Sequence, residues 1–287
     1  MSLVVTGATG HLGRLTVEAL LRRGVPAAEI VATGRRTDSL DDLAARGVTV
    51  RRADFDDPAS LPSAFAGAER LLLVSGSEVG SRLPQHAAAV EAAARAGVGL
   101  LAYTSIAHAD RSSLLLARDH RETEELLARS GVPHVLLRNS WYTENYTAQL
   151  PVYLEHGIAG AAGDGRISAA PRADYAEAAA VVLTGDGHTG ATYELGGVGF
   201  TMTELARAVA GATDRQVTYT DLPVEQYAQV LVDAGLPAAA AAVLADGDRG
   251  AADGELLVDP ADLATLLGRP ATPLADAVAT AVAALHG

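Results

Sequence analysis

An apolar segment at residues 3–6 runs directly into glycines at positions 7, 10 and 13, and an apolar helical face begins before the last of them. Few patterns limit the choice of fold more. Leu12, Leu15, Val17, Leu20 and Leu21 recur at helical spacing, and residues 30–33 read as a second strand. A strand, a tight glycine turn and a helix in that order present free backbone N–H groups and the positive end of a helix dipole to an anion. Gly7 permits the turn, Gly10 lets the backbone approach a pyrophosphate, and Gly13 lets the helix sit close on the strand. Ala8, Thr9, His11 and Leu12 complete the binding loop. The spacing is G-x-x-G-x-x-G rather than G-x-G-x-x-G. The weight therefore rests on the strand–loop–helix context as much as on the glycines.

The second strand ends in Arg35 and Arg36 rather than in Asp or Glu. An acid at this place accepts hydrogen bonds from ribose hydroxyls and repels a 2′-phosphate. The planar fork of Arg35 does the reverse. The expectation is NADPH in preference to NADH, with Arg36 assisting or facing water.

Composition narrows the rest. At 287 residues the chain is long enough for one large α/β domain, or for a Rossmann domain with a smaller companion. The net charge of −13 argues against nucleic acid, whose binding depends on phosphate neutralisation. There is no cysteine, which excludes disulfides and thiolate chemistry, and no lysine: all 22 basic residues are arginine. A Walker A loop, a Schiff base and a Tyr-x-x-x-Lys pair are thereby excluded. The eight histidines show no metal-ligand spacing, so no metal site is expected. No leader pattern opens the chain and no apolar run is long enough to span a bilayer, so a cytoplasmic protein without membrane contact is expected.

Strands predicted at 48–52, 70–74, 99–104 and 132–138 alternate with helices at 39–46, 58–65, 83–96 and 114–129. This predicts an α/β fold: a Rossmann-type, doubly wound parallel sheet covered on both faces. Residues 1–147 read as the dinucleotide-binding domain. Residues 148–287 read as a smaller, interleaved α/β domain that covers the substrate, parts of which return to the main sheet. Its helices are expected at 148–155, 174–183 and 202–210, and its strands at 191–195 and 217–220. A glycine-rich loop is expected at 157–165. The tail from 224 reads as helical, interrupted at Gly235, Pro237, Gly247 and Gly254.

In such sheets the ligand lies beyond the carboxyl ends of the strands. Asp54 and Phe55 follow the third strand; the acid either reaches an adenine amino group or belongs to a helix N-terminal cluster. Ser75, Gly76 and Ser77 follow the fourth, small enough for a cofactor to cross close to the backbone. Ser105 ends the fifth, where short-chain dehydrogenases use a serine to polarise a carbonyl. The next helix carries neither tyrosine nor lysine at residues 119–124, and His120 is the candidate acid there. The sixth strand leads into Asn139, Ser140, Trp141, Tyr142, Thr143, Glu144, Asn145 and Tyr146, the most polar and aromatic stretch of the chain. Tyr142, Asn145 and Tyr146 suit an aromatic slot for a planar substrate. Arg172 opens a later helix, either toward cofactor or substrate or paired with Asp174.

Six segments together (6–13, 75–80, 103–105, 137–146, 160–165 and 172–175) resemble the type 2 NAD(P)H:quinone oxidoreductases, NmrA-like members of the atypical short-chain dehydrogenase/reductase group. The resemblance covers nearly the whole chain, and residues 139–146 are its most specific part. It implies a flavin-free NADPH-dependent quinone reductase. It places the cofactor on residues 7–12, Arg35, residues 75–77, residues 139–144 and Arg172, and the quinone near Asn145. Gly76 departs from the family's serine, which leaves only a backbone contact at that position.

The missing tyrosine–lysine pair fits this chemistry. Reduction of a ketone leaves a strongly basic alkoxide, whereas hydride transfer to a quinone leaves a phenolate-like anion whose conjugate acid has a pKa of about 10. Hydrogen bonds from Asn145 or Tyr142, with water as proton source, suffice for such an anion. Two other readings stay open at this level. One is an NADP(H)-binding redox sensor acting through a protein partner. The other is a biosynthetic reductase or isomerase using His120 as its acid. Pairing of two copies as a homodimer through surface helices is compatible with either.

Overall fold

The computed structural model describes residues 2–76 and 82–285. Its first half contains β1 (Leu3–Val5), α1 (His11–Arg22), β2 (Ile30–Gly34), α2 (Asp41–Ala45), β3 (Thr49–Arg52), α3 (Leu61–Ala64), β4 (Arg70–Leu73), α4 (Arg82–Arg95), β5 (Leu100–Ile106), α5 (Leu115–Ser130) and β6 (His134–Asn139). There follow β7 (Trp141–Tyr142), α6 (Glu144–Thr147), α7 (Leu150–His156), β8 (Ile158–Gly160), β9 (Ala169–Ala170), α8 (Arg172–Thr184) and β10 (Thr192–Leu195). The chain continues through α9 (Met202–Thr213), β11 (Tyr219–Asp221), α10 (Val224–Asp233), α11 (Ala238–Ala252), α12 (Ala261–Leu267) and α13 (Leu274–Ala284).

Seven strands form one sheet in the order β10-β6-β5-β4-β1-β2-β3, and every neighbouring pair is parallel. This is the doubly wound α/β arrangement expected from the alternation. Strand alternation sorts the core: Leu3, Val5 and Leu72 pack toward α1 and α8, while Val4, Leu71 and Leu73 pack toward the opposite face with α3 and α4. Helix α8 is buried nearly all round, with Ala176, Ala178, Ala179 and Ala180 allowing it to lie close along α1. The strand order reverses between β1 and β4, and that switch point is where a doubly wound sheet opens a crevice.

The chain beyond residue 148 adds β10 to the sheet edge and α8 and α12 to one face. The remainder builds a second core, with Leu150, Phe200, Met202, Leu205 and Val278 clustered with Tyr146 and Leu114 from the first half. Two expectations fail here. The stretch 157–165 is not simply a loop, because β8 pairs in parallel with β11. Gly247 does not interrupt a helix either: α11 runs through both Gly247 and Gly250. A Cβ at Gly250 would lie 2.4 Å from the Leu114 side chain, and one at Gly247 would lie 3.2 Å from the Trp141 ring. These glycines serve close helix packing, a tertiary demand that overrides their low helix propensity.

Asp248 is buried beside this core, with its Oδ2 accepting the Ala161 N–H at 2.8 Å. Burial pushes its carboxyl up to about 6. The native state therefore holds this proton more tightly than the unfolded chain, and Asp248 lowers stability as pH rises from about 4 to 6. Asp248→Asn is expected to stabilise the fold at neutral pH by up to about 3 kcal/mol and to do little at pH 4. Thermal unfolding of both proteins across this range checks it; a difference that does not grow with pH would remove Asp248 as the cause.

Candidate functional site

A cleft of about 360 Å³ opens at the switch point. It is lined by Thr6, Gly7, residues 9–13, 33–35, 53–56 and 74–76, Gln85 and Arg172. A second hollow of about 390 Å³ lies at the opposite edge, where β4 and β5 begin. There Arg70 is already committed to Asp186 at 2.6 Å and to the Leu183 carbonyl at 3.3 Å. The smaller cleft is the one at the strands' carboxyl ends.

The glycine loop takes the shape its sequence demands. Gly7 has φ +62°, the left-handed region, and its carbonyl accepts the Gly10 N–H at 2.9 Å. A Cβ on Gly13 would come within 2.4 Å of the Gly7 oxygen, so no side chain fits there. Ala8 does not line the cleft; it is buried, and its N–H ties the loop to the Thr33 carbonyl at 2.8 Å. No side chain caps α1 and its first turn carries no acid, so the first-turn N–H groups remain for an anion. Gly34, not singled out from sequence, belongs to the same construction. A Cβ there would meet the Thr9 methyl at 2.4 Å. Arg35 follows it at the cleft rim, exposed.

Asp54 lines the cleft, but its carboxylate accepts the Asp56 N–H and pairs with Arg52, both at 3.2 Å. Phe55 lies beside it on the wall. The crossing segment after β4 is held by buried side chains: Val74 N–H donates to Thr6 Oγ1, Ser75 N–H to Thr104 Oγ1, and Gly76 N–H to His86 Nε2 at 3.1 Å. The last contact makes His86 Nε2 an acceptor, so Nδ1 carries the proton toward Thr123 Oγ1, 2.9 Å away. Burial, then the Arg82 charge, pushes the His86 imidazole down to about 4, and it stays neutral in this role. A single histidine in an alanine-rich helix offers no sequence signal for it. Ser77 lies outside the described residues.

Two candidates face elsewhere. The Ser105 hydroxyl donates to Glu124 at 2.6 Å, inside a buried ion cluster. His120 is buried between Tyr103 Oη, 2.8 Å from its Nδ1, and Arg82 Nη1, 3.5 Å from its Nε2. Burial first and the Arg82 charge second hold its pKa well below that of an ordinary imidazole. It neither lines the cleft nor titrates in the range acid catalysis needs.

The stretch after β6 divides by side chain. Ser140 Oγ donates to the Leu256 carbonyl, the Trp141 carbonyl accepts from Tyr175 Oη, and Thr143 N–H donates to the Ala170 carbonyl. These three hold the two halves of the chain together. Tyr142, Glu144 and Asn145 instead meet Arg172, which lines the cleft, and Asn139 meets Tyr142. Both Glu144 oxygens accept the Arg172 N–H, at 2.9 and 3.1 Å. Arg172 Nη2 donates to Asn145 Oδ1 at 2.9 Å, and its guanidinium lies 4.5 Å over the Tyr142 ring. Asn139 Nδ2 reaches Tyr142 Oη at 3.4 Å, while its Oδ1 is buried without a partner. Burial raises the Tyr142 pKa, so the hydroxyl keeps its proton.

Fold and cleft together define a dinucleotide-binding protein of the Rossmann class. The profile of the NAD(P)H-binding family matches residues 7–186. Quinone oxidoreductase 2 of Escherichia coli is 50% identical over 278 residues, covering 96% of this chain and 97% of that one. The crystal structure of an E. coli NADPH-dependent quinone oxidoreductase complexed with NADPH superposes with a TM-score of 0.94 at 48% identity, over 99% of this chain and all of that one. The Citrobacter triphenylmethane reductase complexed with NADP(H) follows at 0.93 and 37%, over 98% of this chain and all of that one. The chain belongs to the NAD(P)H-binding family and, within it, to the NmrA-like type 2 quinone oxidoreductases.

Proposed function

We propose that this protein is a flavin-free quinone reductase that uses NADPH. One observation carries the reading: a single cleft joins an uncapped glycine loop and Arg35 at one end to Arg172, with Asn145 and Tyr142, at the other. The residues fit the cofactor. The first turn of α1 takes the pyrophosphate, Arg35 the 2′-phosphate, and the orphaned Asn139 Oδ1 is an acceptor suited to the carboxamide N–H₂. When bound, NADPH supplies the hydride. Tyr142 keeps a proton to donate to the quinone oxygen. Asn145, its Oδ1 occupied by Arg172, has its Nδ2 donors for the same purpose. The phenolate-like product asks little more than these hydrogen bonds and a proton from water. Residues 1–147 form the cofactor-binding domain and residues 148–287 a smaller substrate-covering one, interleaved with it through β10 and Arg172. The proposed location is the cytoplasm; among the described residues no helix is long and apolar enough to cross a membrane.

The test is NADPH oxidation by flavin-free protein with a panel of benzoquinones and naphthoquinones. Quinone-dependent oxidation, faster with NADPH than with NADH, is expected. Tight NADPH binding with no turnover of any quinone would overturn the reading in favour of a sensor. Asn145→Ala is expected to lower kcat/KM for quinone about tenfold, the loss of one well-placed hydrogen bond, while NADPH affinity changes less than about twofold. Unchanged turnover would take Asn145 out of the mechanism.

A further inference from the structure

The segment that crosses the cleft after β4 is gripped by α4. Gln85 and His86 stand side by side near the start of that helix and reach the same glycine. Gln85 lines the cleft; its Nε2 donates to Asp56 Oδ1 at 2.9 Å, and a Cβ on Gly76 would lie 3.2 Å from its Oε1. His86 is wholly shielded from solvent and does not line the cleft. It reaches the wall through the Gly76 N–H, which donates to its Nε2 at 3.1 Å.

The sense of that contact is decided farther back. Thr123 of α5 gives its hydroxyl proton to the Asp119 carbonyl at 2.8 Å, so its oxygen meets His86 Nδ1, 2.9 Å away, as an acceptor. Nδ1 therefore holds the imidazole proton, and Nε2 keeps its lone pair for Gly76. The Tyr103 ring packs edge-on against the imidazole with 5.6 Å between centroids. The Ser75–Gly76 peptide is trans, so its carbonyl points opposite to its N–H. Turning that N–H into α4 sets the Ser75 carbonyl away from the helix. The two preceding N–H groups are held as well, Val74 by Thr6 and Ser75 by Thr104, both at 2.9 Å. Val74, Ser75 and Gly76 all line the cleft. Their backbone is thus fixed in one orientation before a ligand arrives.

We propose that His86 is a positioning residue for the cofactor: by holding the Gly76 N–H it presents the Ser75 carbonyl to the cleft as acceptor for a ribose hydroxyl that both dinucleotides carry. This rests on the placement of the cofactor in the cleft. The imidazole touches neither cofactor nor substrate. It contributes by preorganisation, because binding then does not have to order the peptide. Its effect falls on NADPH and NADH alike, in contrast to that of Arg35.

The experiment measures Kd for NADPH and for NADH, KM and kcat, and Tm in the parent, His86→Phe and His86→Gln. Phenylalanine keeps a ring against Tyr103 but has no acceptor; glutamine gives up the ring and restores an acceptor oxygen. His86→Phe is expected to raise both Kd values about tenfold, the worth of one hydrogen bond. Their ratio should hold within about twofold, with the loss in KM for NADPH rather than in kcat. His86→Gln should recover most of the affinity even where its Tm is lower. Parent-like affinity in His86→Phe marks His86 as a packing residue and overturns the proposal. Equal losses in the two variants follow the ring rather than the acceptor and also overturn it, as does a loss confined to NADPH. Should His86→Phe not fold, Thr123→Val decides, because it removes the partner that fixes the Nδ1–H tautomer. A rise in both Kd values at unchanged ratio then supports the assignment, and parent-like affinities overturn it. A parent protein that binds NADPH yet reduces no quinone overturns the reductase reading alone, since the affinity comparison does not use turnover.

Discussion

Replacing Arg138 with alanine is expected to destabilise the protein by about 3–5 kcal/mol, a fall in Tm on the order of 10 °C for a chain of this size. Arg138 is 9% exposed and sits at the centre of the sheet's far half. Its Nε and Nη2 form a two-pronged pair with Glu124 at 2.9 and 2.6 Å, and its Nη1 reaches Asp110 at 2.7 Å and Glu194 at 2.9 Å. Ser105 donates to the same Glu124, His108 N–H donates to Glu194, and Asp262 of α12 accepts the Glu194 N–H. One guanidinium on β6 therefore ties in α5 and β10 directly, and β5 through Ser105 and Glu124. Its removal strands the carboxylate of Glu124, itself 9% exposed, without a counter-charge. The cost comes from that uncompensated charge rather than from the pair's own strength. Thermal unfolding checks it, and a Tm within a degree or two of the parent would show that water or a rearranged partner compensates Glu124.

Arg35→Ala is expected to remove about 1.5–3 kcal/mol of NADPH affinity, which is about a 10- to 150-fold loss of preference over NADH. Arg35 stands exposed at the cleft rim, just after the strand whose end is pressed against Thr9. The effect should fall on binding of the phosphorylated cofactor alone. NADH affinity should barely move, and kcat at saturating NADPH should be retained, because the 2′-phosphate is remote from the reacting carbon. Titration with both dinucleotides measures the ratio directly. Equal affinities in the unmutated protein would take the phosphate contact away from Arg35.

The residues legible in the sequence share one property: their role is set by neighbours close along the chain. Gly7 needs a left-handed turn, Gly13 lies close to the Gly7 oxygen, and the apolar stripe of α1 follows within one helix. Arg35 is placed by the topology of a single βαβ unit. Ser105 and His120 were singled out for the same kind of local reason, namely a polar group after a strand and an imidazole on the next helix. They misled because the direction of a side chain depends on distant partners. Ser105 turns to Glu124, and His120 is enclosed by Tyr103 and Arg82. Gly247 misled likewise, since its lack of a side chain answers to Trp141, about a hundred residues away in the chain.

By itself the sequence determined the parallel α/β architecture, the glycine turn before the first helix and an arginine after the second strand. Hydrophobic periodicity and backbone freedom act over a few residues and are written in contiguous positions. Only the tertiary structure decided how the polar residues divide between site and scaffold. It brought Arg172 onto Asn145 and Tyr142, and folded His86 under Gly76. The chemistry of a polar side chain depends on its burial and its partners, and here those partners come from elements far apart in the chain.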